Sequence, residues 1–252
     1  MHKTQTITEK ELLELFSGYK KVRYFNVWWL LVLFVALSIV FTLIMNYRAI
    51  STVADFWFST KVNNVSYEQP LINQVIDNTA TVSEVLPDVP LNSIFIDKIN
   101  VKAPVTFDVN NDTASVDSGL KNGVIQLKNT AHPGEIGNVF ITGHSSNYFW
   151  EKGDYSSIFA LLNNLENGDN VVLNYKNSLY FYKIRSKAIV APTDLTPLNQ
   201  SSVSELTLMT CYPVGTNLKR LIVKADQVRP DPKTNQKKTT GSSSGGLPQI
   251  NR

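Results

Sequence analysis

The feature that most constrains this chain is an uncharged stretch near its N-terminus. Residues 24–47 read YFNVWWLLVLFVALSIVFTLIMNY and contain no Asp, Glu, Lys or Arg. The most apolar part, from Val27 to Met45, would span about 28 Å as a helix, close to the ~30 Å hydrocarbon core of a bilayer. The stretch therefore predicts a single transmembrane helix, and any folded domain must be built from the rest of the chain.

The charges on either side of this stretch predict its orientation. Three basic residues, Lys20, Lys21 and Arg23, precede it, whereas only Arg48 directly follows it. Because positive charges favour the cytoplasmic side, we expect a single-pass protein of the cell membrane with a cytoplasmic N-terminus and an extracellular remainder. The apolar run is longer than a signal-peptide core and no clear small-x-small cleavage site follows it, so we expect an uncleaved signal anchor.

After the anchor, the pattern changes to short β-type runs bounded by turn residues. The runs begin near Leu91 and include SIFIDKINVKAPVTFDV, GNVFITGH, SELTLMTC and KRLIVKADQV. Pro104 cannot donate a ladder hydrogen bond and should lie at an edge or at the start of a strand. A short helix is expected from Ser156 to Leu165. About eight strands predict a mainly β fold, a closed antiparallel eight-stranded barrel with one or two short helices.

These patterns divide the chain into five parts. The stretch before the barrel lacks a clean period, and the chain after the last strand is polar and rich in Gly and Ser, which predicts disorder. The predicted parts are a cytoplasmic segment at 1–23, a transmembrane signal anchor at 24–47, an extracytoplasmic linker at 48–86, the β-barrel at 87–229 and a disordered tail at 230–252.

Charge and cysteine content narrow the class of protein. The chain has 24 basic and 21 acidic residues and a formal net charge of +3, which gives no support for a nucleic-acid partner. Cys211 is the only cysteine, so no internal disulfide can form. A lone cysteine is either an inert buried residue or a reactive one, and by composition alone the inert role is the commoner.

Three residues near strand ends together supply the groups that acyl transfer needs. His144 closes the run NVFITGH, Cys211 closes LTLMTC, and Arg220 lies in the run that follows. A thiol reacts as its thiolate, a histidine can protonate a leaving amine, and an arginine can hydrogen-bond an oxyanion without losing its charge. Each residue alone is more often structural, and sequence spacing does not establish that the three meet in space.

The runs that carry these residues resemble the motifs of the sortase family. LTLMTC with Arg220 nine residues later is similar to the signature Thr-Leu-x-Thr-Cys with a downstream arginine on the adjoining strand. PGEIGNVFITGH resembles the strand that carries the family's histidine, and FALLNNLENGDNVVL its helix followed by Gly-Asp. IFIDKINVKAPV resembles the opening strands, although Asp97 stands where the family usually has proline. The resemblance runs in order from about Leu91 to Val228.

The resemblance implies a sortase-type barrel and a membrane-bound cysteine transpeptidase. Such an enzyme cleaves a Leu-Pro-x-Thr-Gly-like sorting signal of a secreted protein through a thioester and passes the acyl chain to an amine of a cell-wall precursor or a pilin lysine. By motif, Cys211 would be the nucleophile, His144 the general acid and base, and Arg220 the group that positions substrate and stabilises the oxyanion. Thr210 would line the substrate site. The resemblance implies no cofactor.

Metal sites have weaker support in the sequence. Some sortases use calcium, and Glu151, Asp154 and Asp169 are possible ligands, but these carboxylates do not cluster as in a calcium loop. A zinc site from His132, His144 and Cys211 lacks a short ligand pair to nucleate it. We therefore expect no metal.

Two other functions remain open at this point. A membrane-anchored β-domain without enzymatic activity, used for adhesion or assembly, would tolerate Cys211→Ala. Another cysteine transpeptidase acting directly on peptidoglycan would use the same three groups, although its usual Ser-x-Gly-Cys context is absent here.

Overall fold

The computed structural model describes residues 8–11, 27–62, 89–146 and 153–237. The chain divides into two compact units, Met1–Thr42 and Leu43–Arg252. The described residues 27–62 form two helices, α1 at Val27–Met45 and α2 at Tyr47–Val62.

Helix α1 coincides with the uncharged stretch. Its part from Trp28 to Met45 is long and apolar enough to cross a membrane, and none of that window is buried inside the protein. A signal sequence near an N-terminus would share these properties. The expected apolar helix is therefore present, whereas its orientation stays a prediction.

Eight strands form a closed barrel, and a ninth is added beside it. The sheet order is β3-β2-β1-β5-β6-β8-β7-β4-β9, and an additional pairing between β3 and β4 closes the ring. The predicted closed eight-stranded barrel is confirmed. The strands are β1 Ser93–Ile96, β2 Val101–Val109, β3 Val124–Leu127, β4 Glu135–Thr142, β5 Asn170–Tyr175, β6 Ser178–Val190, β7 Ser204–Tyr212, β8 Lys219–Arg229 and β9 Gln236–Lys237.

The barrel is mixed, so the expectation of an antiparallel barrel is wrong. Strands β2 and β3 pair in parallel, as do β4 and β7. A parallel pair needs a crossover connection, and helix α3 at Thr113–Leu120 provides one between β2 and β3. The pairing of β4 with β7 joins strands that are far apart in the sequence, which strand patterns alone do not reveal.

The helix predicted from Ser156 to Leu165 is not formed. That segment consists of turns followed by a 3-10 helix at Leu162–Asn164. Phe159, Leu162 and Leu165 are fully buried in the barrel interior. Their spacing of three residues suits the threefold repeat of 3-10 turns rather than the 3.6-residue repeat of an α-helix.

Pro104 lies inside β2, an inner strand of the closed barrel, and not at an edge or strand start. It pairs with Ser93 at one end of the β1–β2 ladder, and the β2–β3 ladder begins only at Val105. The proline is tolerated because it sits where β2 changes from one partner to the other.

Alternation along the strands separates an inner core from an outer apolar cluster. In β4, Val139 and Ile141 belong to the inner core, whereas Phe140 belongs to the outer cluster. In β7, Leu208 points inward and Met209 outward. The outer cluster is completed by two residues of α3, by residues of β2, β3 and β8, and by one residue of the β6–β7 connection; these are Val116, Leu120, Val109, Ile125, Leu127, Ile222 and Leu198.

Part of the predicted disordered tail is folded. A 3-10 helix at Pro232–Thr234 leads into β9, which pairs with the start of β4. The Asn235 side-chain amide donates to Ser204 Oγ at 2.7 Å and to Gln227 Oε1 at 3.0 Å. These bonds tie the segment to β7 and β8, so the domain extends to at least Lys237. Residues 238–252 and 63–88 lie outside the described residues, as does most of the predicted N-terminal segment.

Candidate active site

Two of the three residues singled out by their chemistry lie on adjacent strands, and the third, His144, lies just beyond the end of β4. Cys211 of β7 is paired directly with Arg220 of β8. On the other side of β7, the parallel register with β4 ends at Thr142 opposite Met209. Extending that register by two residues brings His144 to the level of Cys211. Histidine, cysteine and arginine therefore form one row across β4, β7 and β8, at the end of the barrel where β4 ends.

Cys211 belongs to the outer apolar cluster and not to the barrel interior. It shares this face with Met209 and with Phe140 of β4. The residue is 5 % exposed, under cover that includes helix α3. The pairing with Arg220 puts the cysteine and arginine side chains on the same face, because directly opposed residues of an antiparallel pair share a face. The sulfur therefore lies outside the barrel wall, in a low-polarity site.

The backbone around His144 is fixed from two directions. The amide of Gly143 donates to Met209 O at 3.2 Å, and Thr210 Oγ1 donates to Gly143 O at 2.8 Å. The carbonyl of His144 accepts a hydrogen bond from the amide of Phe159 at 2.9 Å. A Cβ at position 143 would meet the Phe159 ring at 2.8 Å, so only glycine permits this close approach. These contacts hold the end of β4 against β7.

The imidazole of His144 is buried without a full set of partners. Among the described residues its Nδ1 has no hydrogen-bond partner, and the residue is 5 % exposed. Burial lowers the pKa of His144 from 6.5 to about 4, and the negative charge of Asp117 partly opposes that shift. The ring is therefore neutral at pH 7 and can accept a proton.

Arg220 is a buried cation without a carboxylate partner among the described residues. Its Nη1 donates to the carbonyl oxygens of Asn217 at 3.0 Å and Lys219 at 3.1 Å, while its Nε has no hydrogen-bond partner. The residue is 2 % exposed. A buried guanidinium with unused donor capacity can bind an anionic or carbonyl oxygen that enters the site.

Thr210 is buried on β7, and its substrate-lining role stays a prediction. It follows Met209 and precedes Cys211 on β7, so alternation directs its side chain to the opposite face from theirs. It is 1 % exposed, and its hydroxyl is bonded to Gly143 O. We propose that this hydrogen bond also positions the end of β4, and with it His144.

Asp117 of helix α3 is a site residue that the sequence did not suggest. Its neighbour Val116 and the following Leu120 pack into the outer cluster that contains Cys211. Asp117 is half-buried and acts electrostatically on His144. The signal that could have identified this helix is Asp112, which caps it by accepting from the Ser115 amide at 2.9 Å, followed by apolar residues four apart.

The other considered ligands lie elsewhere. His132 precedes β4, at the opposite end of that strand from His144. Asp169 pairs with Lys98 at 2.9 Å, and Glu151 is outside the described residues. Within the described ranges, no group of three or more His, Cys, Asp and Glu side chains is placed to hold a metal ion.

Comparison with known proteins identifies the family to which this chain is similar. The family model for a sortase domain matches residues 94–228. Sortase D from Bacillus subtilis (strain 168) is 30 % identical over 137 residues, which cover 53 % of this chain and 61 % of that protein. Sortase A from Bacillus anthracis is 25 % identical over 161 residues, covering 64 % of this chain and 68 % of that protein.

The lid mutant of sortase A from Corynebacterium diphtheriae aligns at a TM-score of 0.47 with 28 % identity, covering 57 % of this chain and 73 % of that one. The matched family model includes the ends of β4 and β7 and all but the last residue of β8.

Proposed function

This chain belongs to the sortase family, whose members are cysteine transpeptidases, and from that premise we propose that it cleaves a sorting signal and transfers the acyl chain to an amine. The donor would be a secreted protein with a C-terminal Leu-Pro-x-Thr-Gly-like signal. The acceptor would be an amine of a cell-wall precursor or a pilin lysine. We further propose that α1 anchors the enzyme in the cell membrane, with the barrel outside.

The first half of the proposed reaction forms a thioester. The neutral His144 ring takes the proton of the Cys211 thiol as the sulfur attacks the scissile carbonyl carbon. A carbon–sulfur bond forms, and the carbonyl oxygen becomes an oxyanion that accepts hydrogen bonds from Arg220. When the intermediate collapses, the carbon–nitrogen bond breaks and the leaving amine takes the proton from the His144 imidazolium.

The second half reverses these roles. The acceptor amine attacks the thioester carbonyl, and His144 takes a proton from the amine. A carbon–nitrogen bond forms and the carbon–sulfur bond breaks, with the proton returned to sulfur. Arg220 again offers its donors to the oxyanion. No external oxidant, metal or cofactor enters this sequence of steps.

The burial of the site suits this chemistry. An isolated imidazolium is disfavoured there, as the pKa of about 4 for His144 indicates. An imidazolium beside a newly formed thiolate or oxyanion is favoured, because opposite charges attract strongly where water is excluded. The charged form of His144 is thus stabilised mainly while the reaction proceeds.

One observation carries the proposal. Cys211 of β7 pairs with Arg220 of β8, and the β4–β7 register, extended two residues past the end of β4, brings His144 to the same level. A structural role would predict satisfied polar groups. Within the part of the chain that the structure describes, Nδ1 of His144 and Nε of Arg220 have no hydrogen-bond partner.

The test is turnover of quenched Leu-Pro-x-Thr-Gly-like peptides with hydroxylamine as the acceptor amine. We expect the purified full chain to release hydroxamate, and Cys211→Ala to release none. Cleavage that persists in Cys211→Ala would contradict the mechanism. The non-enzymatic β-domain would be favoured by two results together. The wild-type protein would be inactive on every peptide of the panel, and Cys211→Ala would keep the adhesion or assembly function of the wild type.

A further inference from the structure

Helix α2 carries large apolar side chains on its surface. It begins at Tyr47, two residues after α1 ends at Met45. Trp57 and Phe58 are 55 % and 62 % exposed, and their rings meet edge to face at 6.1 Å between centroids. Ile50 and Val53 are exposed as well. Helix α2 itself is not apolar enough to cross a membrane as α1 could.

The apolar side chains of α2 are gathered on one side. Successive residues of an α-helix are about 100° apart, so Tyr47, Ile50, Trp57 and Phe58, at spacings of three, seven and one, fall within one half of the helix. Asp55 is exposed and lies about 200° around the helix from Trp57. Helix α2 is therefore amphipathic.

The position of α2 in the chain identifies the partner. If α1 spans the bilayer, its outer end is at the level of the lipid headgroups, and α2 must begin there. Tryptophan, tyrosine and other aromatic side chains favour that interface, and helices with one apolar and one polar side lie in its plane. A helix pointing straight away from the membrane would instead hold Trp57 about 15 Å further out, in water.

We propose that α2 lies in the plane of the outer leaflet of the membrane that α1 crosses, with Trp57 and Phe58 buried among the lipids and Asp55 facing water. This inference rests on the proposed membrane anchoring and not on the catalytic proposal.

A pair of fluorescent labels tests the proposal on the full chain in vesicles. Cys211 is the only thiol, so Cys211→Ser gives a background in which one new cysteine can be labelled. An environment-sensitive fluorophore is placed at Trp57→Cys or, as the matched control, at Asp55→Cys. The vesicles contain phosphatidylcholine and phosphatidylglycerol, with a nitroxide lipid added in one series and aqueous iodide in the other.

The proposal predicts opposite results for the two labels. The label at position 57 should be quenched by the nitroxide lipid and several-fold less by iodide than the label at position 55. Equal iodide quenching at both positions would overturn the proposal, as would protection of both labels. Phe58→Cys provides a second apolar position, with the same prediction as position 57.

Flotation of the vesicles separates failure of the anchor from failure of this inference. Protein that floats with vesicles while both labels stay in water would overturn the in-plane helix and leave the anchor intact. Protein that does not float would overturn the anchor and this inference together. Neither result affects the hydroxamate assay, which tests the catalytic proposal by itself.

Discussion

The two described histidines of this protein lie at opposite ends of β4 and in opposite environments. His132, before the strand, contacts Asp108 at 3.1 Å and Glu135 at 3.4 Å and stacks on Tyr175 with ring centroids 5.4 Å apart. His144, after the strand, is buried with its Nδ1 unpartnered. His132 has the partners expected of a structural residue, and we propose that His144 acts on the substrate.

Two arginines repeat the contrast. Arg185 of β6 forms ion pairs with Glu205 and with Asp226, the latter at 2.7 Å, on the outer wall of the barrel. Arg220 is more deeply buried and meets only backbone carbonyls among the described residues. Leaving a buried cation without a carboxylate partner is costly, and we propose that Arg220 offsets this cost by its role in the reaction.

The largest expected effect would come from comparing the two histidines. We expect His144→Ala to lower kcat/KM for a sorting-signal peptide by about 10²–10⁴-fold, since it removes the general acid and base. His132→Ala should leave kcat/KM within a few-fold of wild type, because it alters contacts at the far end of β4. Steady-state kinetics with circular dichroism as a folding control would check both. Equal losses of kcat/KM in the two variants would contradict the different roles assigned to the two histidines.

The two arginines give the second test. Arg220→Ala should lower kcat/KM by about 10²–10³-fold, the usual effect of losing an oxyanion donor. Arg220→Lys keeps the charge but not the planar set of donors, and it should recover only part of the activity. Arg185→Ala serves as the control, with an effect on the melting temperature and little on kcat/KM. A fully active Arg220→Ala variant would remove the arginine from the proposed mechanism.

Stability against pH provides a third test that needs no substrate. The folded-state pKa of His144 is about 4, below its ordinary value of 6.5, so the unfolded chain binds this proton more readily than the folded one. Folding stability should therefore fall as pH drops from 6.5 to 4, by on the order of 3 kcal/mol from this residue. The free energy of unfolding of the wild type and of His144→Gln can be measured by urea titration at several pH values. The contribution of His144 to the fall between pH 6.5 and 4 should be present in the wild type and absent in the variant. Parallel curves for both proteins would mean that His144 is not buried as described.

Asp117 carries the smallest predicted effect. Its carboxylate raises the pKa of His144 against the effect of burial, so Asp117→Asn should lower that pKa further. The acid limb of the kcat/KM profile should move to lower pH, with a change of only a few-fold at pH 7. Asp117→Glu keeps the charge and should restore the wild-type profile. An unchanged acid limb in Asp117→Asn would contradict an electrostatic effect of Asp117 on His144. Helix α3 would then only shield the outer cluster from solvent.

The sequence was most informative where the site depends on local pairing. Cys211 and Arg220 sit on consecutive strands, and alternation correctly predicts that Arg220 shares a face with Ile222, which lies in the outer cluster. His144 reaches the same row through a parallel pairing of β4 with β7, and such nonlocal register is set by the whole barrel. Helix α3 is short and weakly apolar, so its contribution through Asp117 was missed.

The number of barrel strands was predictable from the sequence, whereas their relative directions were not. Short alternating runs and turn residues fix the number of strands, but not whether neighbours are parallel or antiparallel. Burial in the barrel interior also overrode helix formation in the segment with Phe159 and Leu162. Tertiary packing, rather than local preference, decided both features.

The most direct test of the account is to locate the acyl group on the enzyme. A sorting-signal peptide is added without an acceptor amine, and the reaction is stopped with acid. The mass of the intact protein is measured, and the modified residue is then located by peptide mapping. We predict an adduct with the mass of the acyl fragment on the peptide that contains Cys211, released by neutral hydroxylamine. An acyl group on another side chain, or an adduct of the same yield in Cys211→Ala, would contradict the account.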